Sequence, residues 1–361
     1  MLRYLDEYRD ADVCKKIAEK IRCISTKPFN IMEVCGGHTM AIRKNGIHSL
    51  VGENINLISG PGCPVCVTSI RDIDRVLKLA EAKDVVICSF GDMMNVPGSD
   101  TSLSEARALG AEVKTVYSVN DVLAFAKKDP GKRFIFISIG FETTAPLTAA
   151  AIIRAREEKI LNFNVLALNK TMPKAIKAVL GAEDCNIDAL LGPGHVSTIT
   201  GINMYKPVVY DMGISCCISG FEPMDLLRSI FVLTDLFEKD RIEIVNAYER
   251  VVCDEGNLKA LKIMETVFEP VTSEWRGLGD IEGSGLKIRN EYSDFDAENF
   301  FDIEVPETKE ISGCICGEIL RGTKTPENCS LFGSICTPLS PKGACMVSSE
   351  GTCAAWYKYA R

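Results

Sequence analysis

Residues 55–66 read INLISGPGCPVC, an apolar run followed by Gly-Pro-Gly and by two cysteines with two residues between them. Residues 187–198, IDALLGPGHVST, repeat this pattern with a histidine in place of the first cysteine. A short apolar run followed by turn residues predicts a buried strand and a loop that opens a helix. The segments 86–91 and 136–140 end in the same way, with glycine after an apolar run. This internal echo is consistent with duplication of one strand–loop–helix unit.

The alternation of strands and helices extends over most of the chain. It predicts βαβ units around parallel sheets, and the nearly continuous apolar strands predict sheets covered on both faces. We therefore expect an α/β fold with two doubly wound, Rossmann-like parallel-sheet domains, residues 1–140 (with an N-terminal helix) and 141–255, and an irregular or helical C-terminal domain, 256–361. The predicted strands are 30–34, 54–59, 85–90, 111–116, 134–139, 164–168, 187–191, 207–210 and 214–219. The predicted helices are 10–23, 68–82, 102–109, 119–127, 143–158, 173–180, 225–237, 242–252 and 258–265.

The composition limits the classes of protein to consider. The 361 residues are 46% hydrophobic and 25% charged, which is typical of a soluble globular protein of two or three domains. A net charge of −8 argues against nucleic-acid binding, and no apolar stretch reaches the roughly 18 residues of a membrane span. The acidic N-terminus is unlike a signal peptide, so we expect a cytoplasmic protein. In that reducing compartment, 16 cysteines favour metal ligands or redox thiols over structural disulfides.

Cysteines near the C-terminus form the densest group of candidate ligands. Their segment is rich in Gly, Pro, Ser and Thr and has little core of its own, so a bound metal centre is expected to hold it. Soft thiolates suit an iron–sulfur cluster or zinc, although the spacing is unlike the short paired intervals of zinc fingers. Spacing alone leaves the choice open among Cys316, Cys329, Cys336, Cys345 and Cys353, and Cys314 is the least favoured.

Two predicted strands each end in a reactive cysteine. Cys35 is followed by two glycines and His38, and a helix starting near Gly37 would stabilise its thiolate through backbone N–H groups. The alternative is a glycine-rich turn around a buried cysteine. Cys63 and Cys66 open a helix with the spacing of a dithiol that forms a reversible disulfide. Half of a zinc site and a structural role are the alternatives for this pair.

Polar groups follow two further strands. Glu142, Thr143 and Thr144 come after the strand at 134–139, where a threonine could instead serve only as a helix N-cap. His195 and Ser197 follow the second Gly-Pro-Gly, and a lone histidine is often only structural. Seven other cysteines lie in apolar or helical contexts and are expected to be small buried hydrophobes: Cys14, Cys23, Cys88, Cys185, Cys216, Cys217 and Cys253.

Five motifs in this order, spread over residues 30–357, resemble the HypD family of hydrogenase maturation factors. They are CGGHT (35–39), GPGCPVC (60–66), GFETT (140–144), GPGHVS (192–197) and the C-terminal cysteine spacing C-x12-C-x6-C-x16-C. The resemblance implies a scaffold for the Fe(CN)2CO group of [NiFe] hydrogenases, with redox activity in cyanide transfer. It assigns a [4Fe–4S] cluster to Cys316, Cys329, Cys336 and Cys353, and leaves Cys345 out.

The same resemblance implies two partners and a division of roles. Cys35 would hold the iron together with the N-terminal cysteine of a HypC-like small chaperone, and a HypE-like donor would bring cyanide as a thiocyanate. The Cys63/Cys66 dithiol stores two electrons, whereas a [4Fe–4S] cluster passes one at a time. His38 would hydrogen-bond a cyanide nitrogen or the Cys35 sulfur. Supporting residues of the cleft would be Glu142, Thr143, Thr144, His195 and Ser197.

Two other functions fit part of the sequence. A cluster-dependent thiol–disulfide oxidoreductase, similar to ferredoxin:thioredoxin reductase, needs only Cys63, Cys66 and the cluster, and gives Cys35 and His38 no role. A binding protein with a structural zinc at the C-terminus needs no redox chemistry.

Overall fold

The computed structural model describes residues 6–309 and 311–359, and its helices begin and end close to capping signals in the sequence. The Ser102 side chain, for example, caps the helix that follows it together with Glu105, and Ser118 does the same with Asp121. Within these ranges no helix is long and apolar enough to cross a bilayer. The helices are α1 (Ala11–Ile24), α2 (Gly36–Lys44), α3 (Ile47–Leu50), α4 (Pro64–Val67), α5 (Ile70–Ala80), α6 (Leu103–Ala108), α7 (Val119–Lys128), α8 (Ala145–Glu157), α9 (Met172–Leu180), α10 (Gly194–Thr200), α11 (Lys206–Met212), α12 (Pro223–Glu238), α13 (Leu258–Val267), α14 (Cys316–Leu320), α15 (Ala344–Val347) and α16 (Thr352–Tyr359).

The strands form two parallel sheets and one hairpin, so the predicted α/β class is confirmed. Sheet I has the strand order β2-β1-β7-β8-β9, sheet II has the order β4-β3-β5-β6, and β10 pairs antiparallel with β11. The strands are β1 (Phe29–Glu33), β2 (Ile55–Ser59), β3 (Val85–Ser89), β4 (Val113–Thr115), β5 (Arg133–Ser138), β6 (Phe163–Ala167), β7 (Ala189–Pro193), β8 (Ser215–Ser219), β9 (Ile244–Asn246), β10 (Phe268–Trp275) and β11 (Gly279–Ile288).

The chain passes from one sheet to the other and back. It enters sheet I with β1 and β2, builds all of sheet II, and returns to sheet I with β7. The predicted boundary after residue 140 falls between β5 and β6 of one sheet, and β1 pairs with both β2 and β7. The division into 1–140 and 141–255 therefore does not follow the sheets, because neighbours in a parallel sheet need not be neighbours in sequence.

Alternate residues of each strand enter different cores, as expected for covered parallel sheets. Ile31 enters a core on the outer face of sheet I, whereas Met32 enters a central core that sheet II shares. Side chains from the C-terminal segment, including Cys345, join the same central core beside Trp275. Part of the C-terminal segment thus packs into the region between the sheets, whereas Met264, Val267 and Phe268 pack with β5 in a third core.

Three predicted elements are wrong. Residues 207–210 lie in α11, where Pro207 occupies the first turn that tolerates proline, and Gly213 ends the helix at φ +65°. Residues 242–252 contain the edge strand β9, which pairs with β8, instead of a helix. The region after Pro270, expected to be irregular, belongs to the β10–β11 hairpin, whose turn has glycines at φ +75° and +73°.

The seven cysteines expected to be buried divide into two groups. The prediction is confirmed for Cys14, Cys88, Cys216 and Cys217, whereas Cys23 and Cys253 are exposed and Cys185 is half-buried.

Candidate functional site

Four neighbouring strands of sheet I end at the same edge, and each delivers one side chain to the candidate site. Cys35 follows β1, Cys63 follows β2, His195 follows β7 and Phe221 follows β8. Because the strands are parallel, their carboxyl ends lie together, which is where α/β proteins commonly bind ligands. The structure therefore brings together residues that are up to 186 positions apart in the chain.

The loops that carry Cys35 and Cys63 are in direct backbone contact. Gly36 N–H donates to the carbonyl of Gly62 at 3.0 Å. A Cβ atom added to Gly62 would lie 2.6 Å from the carbonyl carbon of Cys35, which is too close for any side chain. Gly62 is thus required for the dithiol loop to pack against the Cys35 loop.

We expect Gly62→Ala to separate the two loops and to destabilise the protein by about 1–3 kcal/mol, the usual cost of overpacking. The matched control is Gly91→Ala, whose added Cβ would come no closer than 3.6 Å to Thr115 Cγ2. Urea unfolding measures both variants. Equal midpoints for the two would contradict the requirement for glycine at position 62.

The Cys35 thiol is buried at the N-cap position of α2. The pKa of Cys35 is raised to about 12: burial and the carboxyl groups of Glu350 and Glu33 raise it, whereas backbone N–H groups of His38 and Gly37 lower it. The helix N-terminus thus acts in the direction that the sequence predicts, but desolvation outweighs it. The thiol is protonated at neutral pH and would release its proton on binding a metal.

His38 is a neutral histidine with one free ring nitrogen. It is fully buried, and burial lowers its pKa to about 4. Its Nε2 lies 3.1 Å from the carbonyl oxygen of Ser219, so Nε2 carries the proton and donates it. Nδ1 is then an acceptor, and it has no partner among residues 6–309 and 311–359.

Phe221 joins the two candidate histidines. Its ring lies 3.9 Å from that of exposed His195, stacked, and 4.7 Å from that of His38. Phe221 was not predicted as a site residue, although Ser219-Gly220 before it repeats the strand-then-glycine ending of the other site loops.

Cys63 and Cys66 form a disulfide across the first turn of α4, with Cα atoms 5.2 Å apart. Cys63 is 4% exposed and Cys66 is fully buried. The Cys66 N–H group donates to Cys63 Sγ at 3.3 Å, and Cys66 Sγ lies 3.9 Å from the carbonyl oxygen of Ala344. Ala344 begins α15, which also carries Cys345, so the disulfide lies beside the C-terminal cysteines.

Six cysteines line one small cavity in the C-terminal segment. The Sγ atoms of Cys316 and Cys345 are 2.9 Å apart. The pKa of Cys353 is raised, mainly by burial and to a smaller extent by the neighbouring cysteines. In the described part of the chain, no group of three or more His, Cys, Asp or Glu side chains has the geometry to bind a single metal ion. Thiols around a cavity fit a cluster, since iron and sulfide would fill the space between them. The cysteines are Cys314, Cys316, Cys329, Cys336, Cys345 and Cys353.

Glu142 lies beyond the carboxyl end of β5, an inner strand of sheet II, and its side chain is fully buried. Oε1 accepts from the Met172 N–H group at 3.0 Å. Oε2 has no partner within the described ranges, and neither has the nearby Tyr205 hydroxyl. Burial raises the pKa of Glu142 to about 7, so the side chain is half-protonated near neutral pH.

Glu142→Gln is expected to remove a pH dependence of stability. The folded state prefers the neutral carboxyl, so its stabilisation is complete below pH 4.5 and is lost as pH rises through about 7. The rise in the pKa of Glu142 from 4.5 to about 7 corresponds to a loss of about 3 kcal/mol in the free energy of unfolding between low and high pH, at 1.36 kcal/mol per pKa unit. The variant should be more stable than the parent protein above pH 8 and no more stable at pH 4.5. Urea unfolding at both pH values measures this, and a stability difference independent of pH would contradict it.

The remaining predicted site residues have local contacts. Thr144 occupies the N-cap position of α8, but its Oγ1 donates to the Ile139 carbonyl at 3.1 Å and makes no capping bond. Thr143 is half-buried. Ser197 is buried, and its hydroxyl donates to the Pro193 carbonyl at 2.7 Å within α10.

These observations define a class: an α/β protein whose candidate functional groups are cysteines. They are a lone cysteine at a strand end, a disulfide beside it, and a cysteine-lined cavity next to the disulfide. The family model named HypD and described as "Hydrogenase formation hypA family" matches residues 12–360. The chain belongs to the HypD family.

Relatives from distant microorganisms match the chain over nearly its whole length. Hydrogenase maturation factor HypD2 of Bradyrhizobium diazoefficiens is 42% identical over 370 residues, covering 100% of this chain and 97% of the relative. Hydrogenase maturation factor HypD of Cupriavidus necator is 42% identical, with coverages of 100% and 98%. A putative hydrogenase expression/formation protein of Methanocaldococcus jannaschii is also 42% identical, with 98% of both chains covered.

Proposed function

We propose that this protein acts in the maturation of [NiFe] hydrogenases, as a scaffold on which the Fe(CN)2CO group is assembled. Membership of the HypD family and the names of its relatives support the role in maturation. The observation that carries the scaffold proposal is the buried Cys35 thiol, in backbone contact with the loop that bears the Cys63–Cys66 disulfide.

Cys35 holds the iron cargo in this proposal, together with a cysteine of a HypC-like partner. A soft thiolate is a suitable donor for iron that also carries cyanide and CO. A side chain at Gly37 would place its Cβ 3.7 Å from Cys35 Sγ and 3.0 Å from Phe221, so glycine is what lets the Phe221 ring pack beside the sulfur. In the proposal, the cargo binds at this sulfur.

His38 stays neutral in this scheme, because burial lowers its pKa to about 4. Its Nε2 proton is donated to Ser219, so the ring has no second proton to offer a cyanide nitrogen. The acceptor Nδ1, which has no partner in the described ranges, is instead free to accept a hydrogen bond from the Cys35 thiol before iron binds. Contact with the Cys35 sulfur is one of the two roles that the resemblance implies for His38.

The C-terminal cavity holds a [4Fe–4S] cluster through Cys316, Cys329, Cys336 and Cys353. Such a cluster, when bound, supplies electrons one at a time. Cys345 is the competing ligand, since it lines the same cavity and contacts Cys316. In a series of Cys→Ser variants, we expect loss of the visible absorption band and of bound iron for these four residues. Cys345→Ser should keep both; the reverse pattern for Cys345 and Cys353 would change the ligand set.

Cys63 and Cys66 carry the two-electron step. A HypE-like partner presents cyanide as a thiocyanate, and its S–CN bond must break to leave a thiolate and a cyanide ion. The two thiols of Cys63 and Cys66 supply two electrons, release two protons and form their S–S bond. Cyanide passes to the iron on Cys35. A one-electron donor protein restores the dithiol in two steps. The proposed reaction involves neither nucleic acid nor a membrane.

Infrared spectroscopy of the protein, purified anaerobically with a HypC-like partner, tests the proposal. We expect bands of bound cyanide and CO, with about four extra irons and matching acid-labile sulfide for a [4Fe–4S] cluster. A preparation that contains zinc and shows neither sulfide nor diatomic bands would establish the structural-zinc alternative instead.

The location of the disulfide beside the cysteine-lined cavity also favours the second candidate, a cluster-dependent thiol–disulfide oxidoreductase. Reduction of a protein disulfide at a rate unaffected by Cys35→Ala would support this candidate. The scaffold proposal predicts no such turnover.

A further inference from the structure

Arg276 lies between the disulfide helix and the C-terminal cysteines, although neither motif includes it. It follows Trp275, the last residue of β10, at the start of the hairpin turn. Its backbone N–H group donates to the Val67 carbonyl at 2.8 Å, and its Nε donates to the Thr68 carbonyl at 2.9 Å. Arg276 therefore binds the C-terminal end of α4, the helix that carries Cys66.

The other end of the guanidinium group is buried without a partner. Arg276 is only 8% exposed, and its Nη2 has no hydrogen-bond partner in residues 6–309 and 311–359. No carboxylate in these ranges forms an ion pair with it; Glu318, which lines the same cleft, pairs with Lys324. A buried cation without a counter-charge is costly, which indicates that negative charge belongs beside it.

The groups beside this free end are the cysteine thiols. Arg276 lines a cleft together with Cys314 and Cys316. Thiolates around an iron–sulfur cluster would supply the missing negative charge.

The hairpin turn is fixed against the helix that begins at Cys316. A Cβ atom on Gly277 would lie 3.1 Å from the carbonyl carbon of Gly317, and Gly277 has φ +75°. Arg321 Nη1 donates to the Gly277 carbonyl at 2.7 Å. These contacts hold the Arg276 side chain in the cleft beside Cys314 and Cys316.

We propose that Arg276 is a positioning residue that compensates the charge of a cysteine-bound iron–sulfur cluster and raises its reduction potential. The reduced cluster carries one more negative charge than the oxidised one, so a buried cation next to it stabilises the reduced form more. By binding α4 as well, the same residue fixes the disulfide beside the cluster. This inference rests on the proposed function, because it needs the cluster.

Redox titration of the full-length protein, followed by electron paramagnetic resonance and visible absorption, tests the proposal. Arg276→Gln should shift the reduced-to-oxidised ratio at a fixed ambient potential by at least about tenfold toward the oxidised form, which is 59 mV for one electron. Arg276→Lys should keep most of the parent potential. Lys324→Gln is the matched control, since it removes one positive charge from the same C-terminal segment at an exposed ion pair with Glu318.

Each result decides one question. An unchanged potential in a fully loaded Arg276→Gln protein would overturn the inference, and so would loss of the cluster from both the Gln and Lys variants, because the side chain would then be structural. Loss of the cluster from the Gln variant alone would support the need for a cation. If the parent protein itself binds no iron and sulfide, the proposed function fails instead.

Discussion

Cys35→Ala is expected to abolish the infrared bands of bound cyanide and CO, while leaving the visible absorption of the C-terminal cluster unchanged. The thiol is the only donor that this chain contributes to the cargo iron in the proposal, and alanine offers no replacement ligand. The cysteines of the cavity come from residues 314–353 and remain intact.

The control for this variant is Cys88→Ala. Cys88 is also a buried thiol, so its replacement by alanine should cost a similar packing energy. It lies on β3 of sheet II, away from the Cys35 loop. Cys88→Ala should retain the bands. Retention of the bands by the Cys35→Ala protein would show that another residue holds the iron.

Cys66→Ser is expected to reduce the release of cyanide from a partner thiocyanate to the background rate in a single turnover. The prereduced parent protein should release one cyanide per protein, since its dithiol holds the two electrons that the S–CN bond requires. Serine cannot form the S–S bond, so the variant has no second electron to give. Stoichiometric cyanide trapping measures both proteins.

Cys217→Ser serves as the control, because Cys217 is also fully buried but lies within strand β8 and has no proposed role in the reaction. It should release cyanide as the parent does. Release by the Cys66→Ser protein at the parent yield would remove the dithiol from the reaction.

All strands of both sheets except β9 could be predicted from sequence, because their apolar runs are nearly continuous. The pairing of β1 with β7, which start 160 residues apart, could not be predicted, since the sequence carries no direct signal for which parallel strands are neighbours. The hairpin was missed because β11 contains Gly283 and Gly285 and lacks a regular alternation of apolar and polar residues.

The candidate site was partly predictable for a similar reason. The cysteines after β1 and β2 stand at strand ends, and ends of parallel strands converge. Glu350 and Arg276 could not be assigned in advance, because their positions depend on how a distant C-terminal segment packs between the sheets. The high pKa of Cys35 has the same origin, since desolvation is a property of the folded protein alone.

The passage of the chain from sheet I to sheet II and back has a consequence for biosynthesis. While the ribosome is still translating sheet II, β1 and β2 have emerged but must wait for β7–β9, so sheet I cannot close until more than half of the polypeptide exists. The backbone of Glu350, which packs against Gly36, arrives almost last. The surroundings of Cys35 are therefore completed only when translation is nearly finished, so under the proposed function a nascent or truncated chain could not yet bind its cargo.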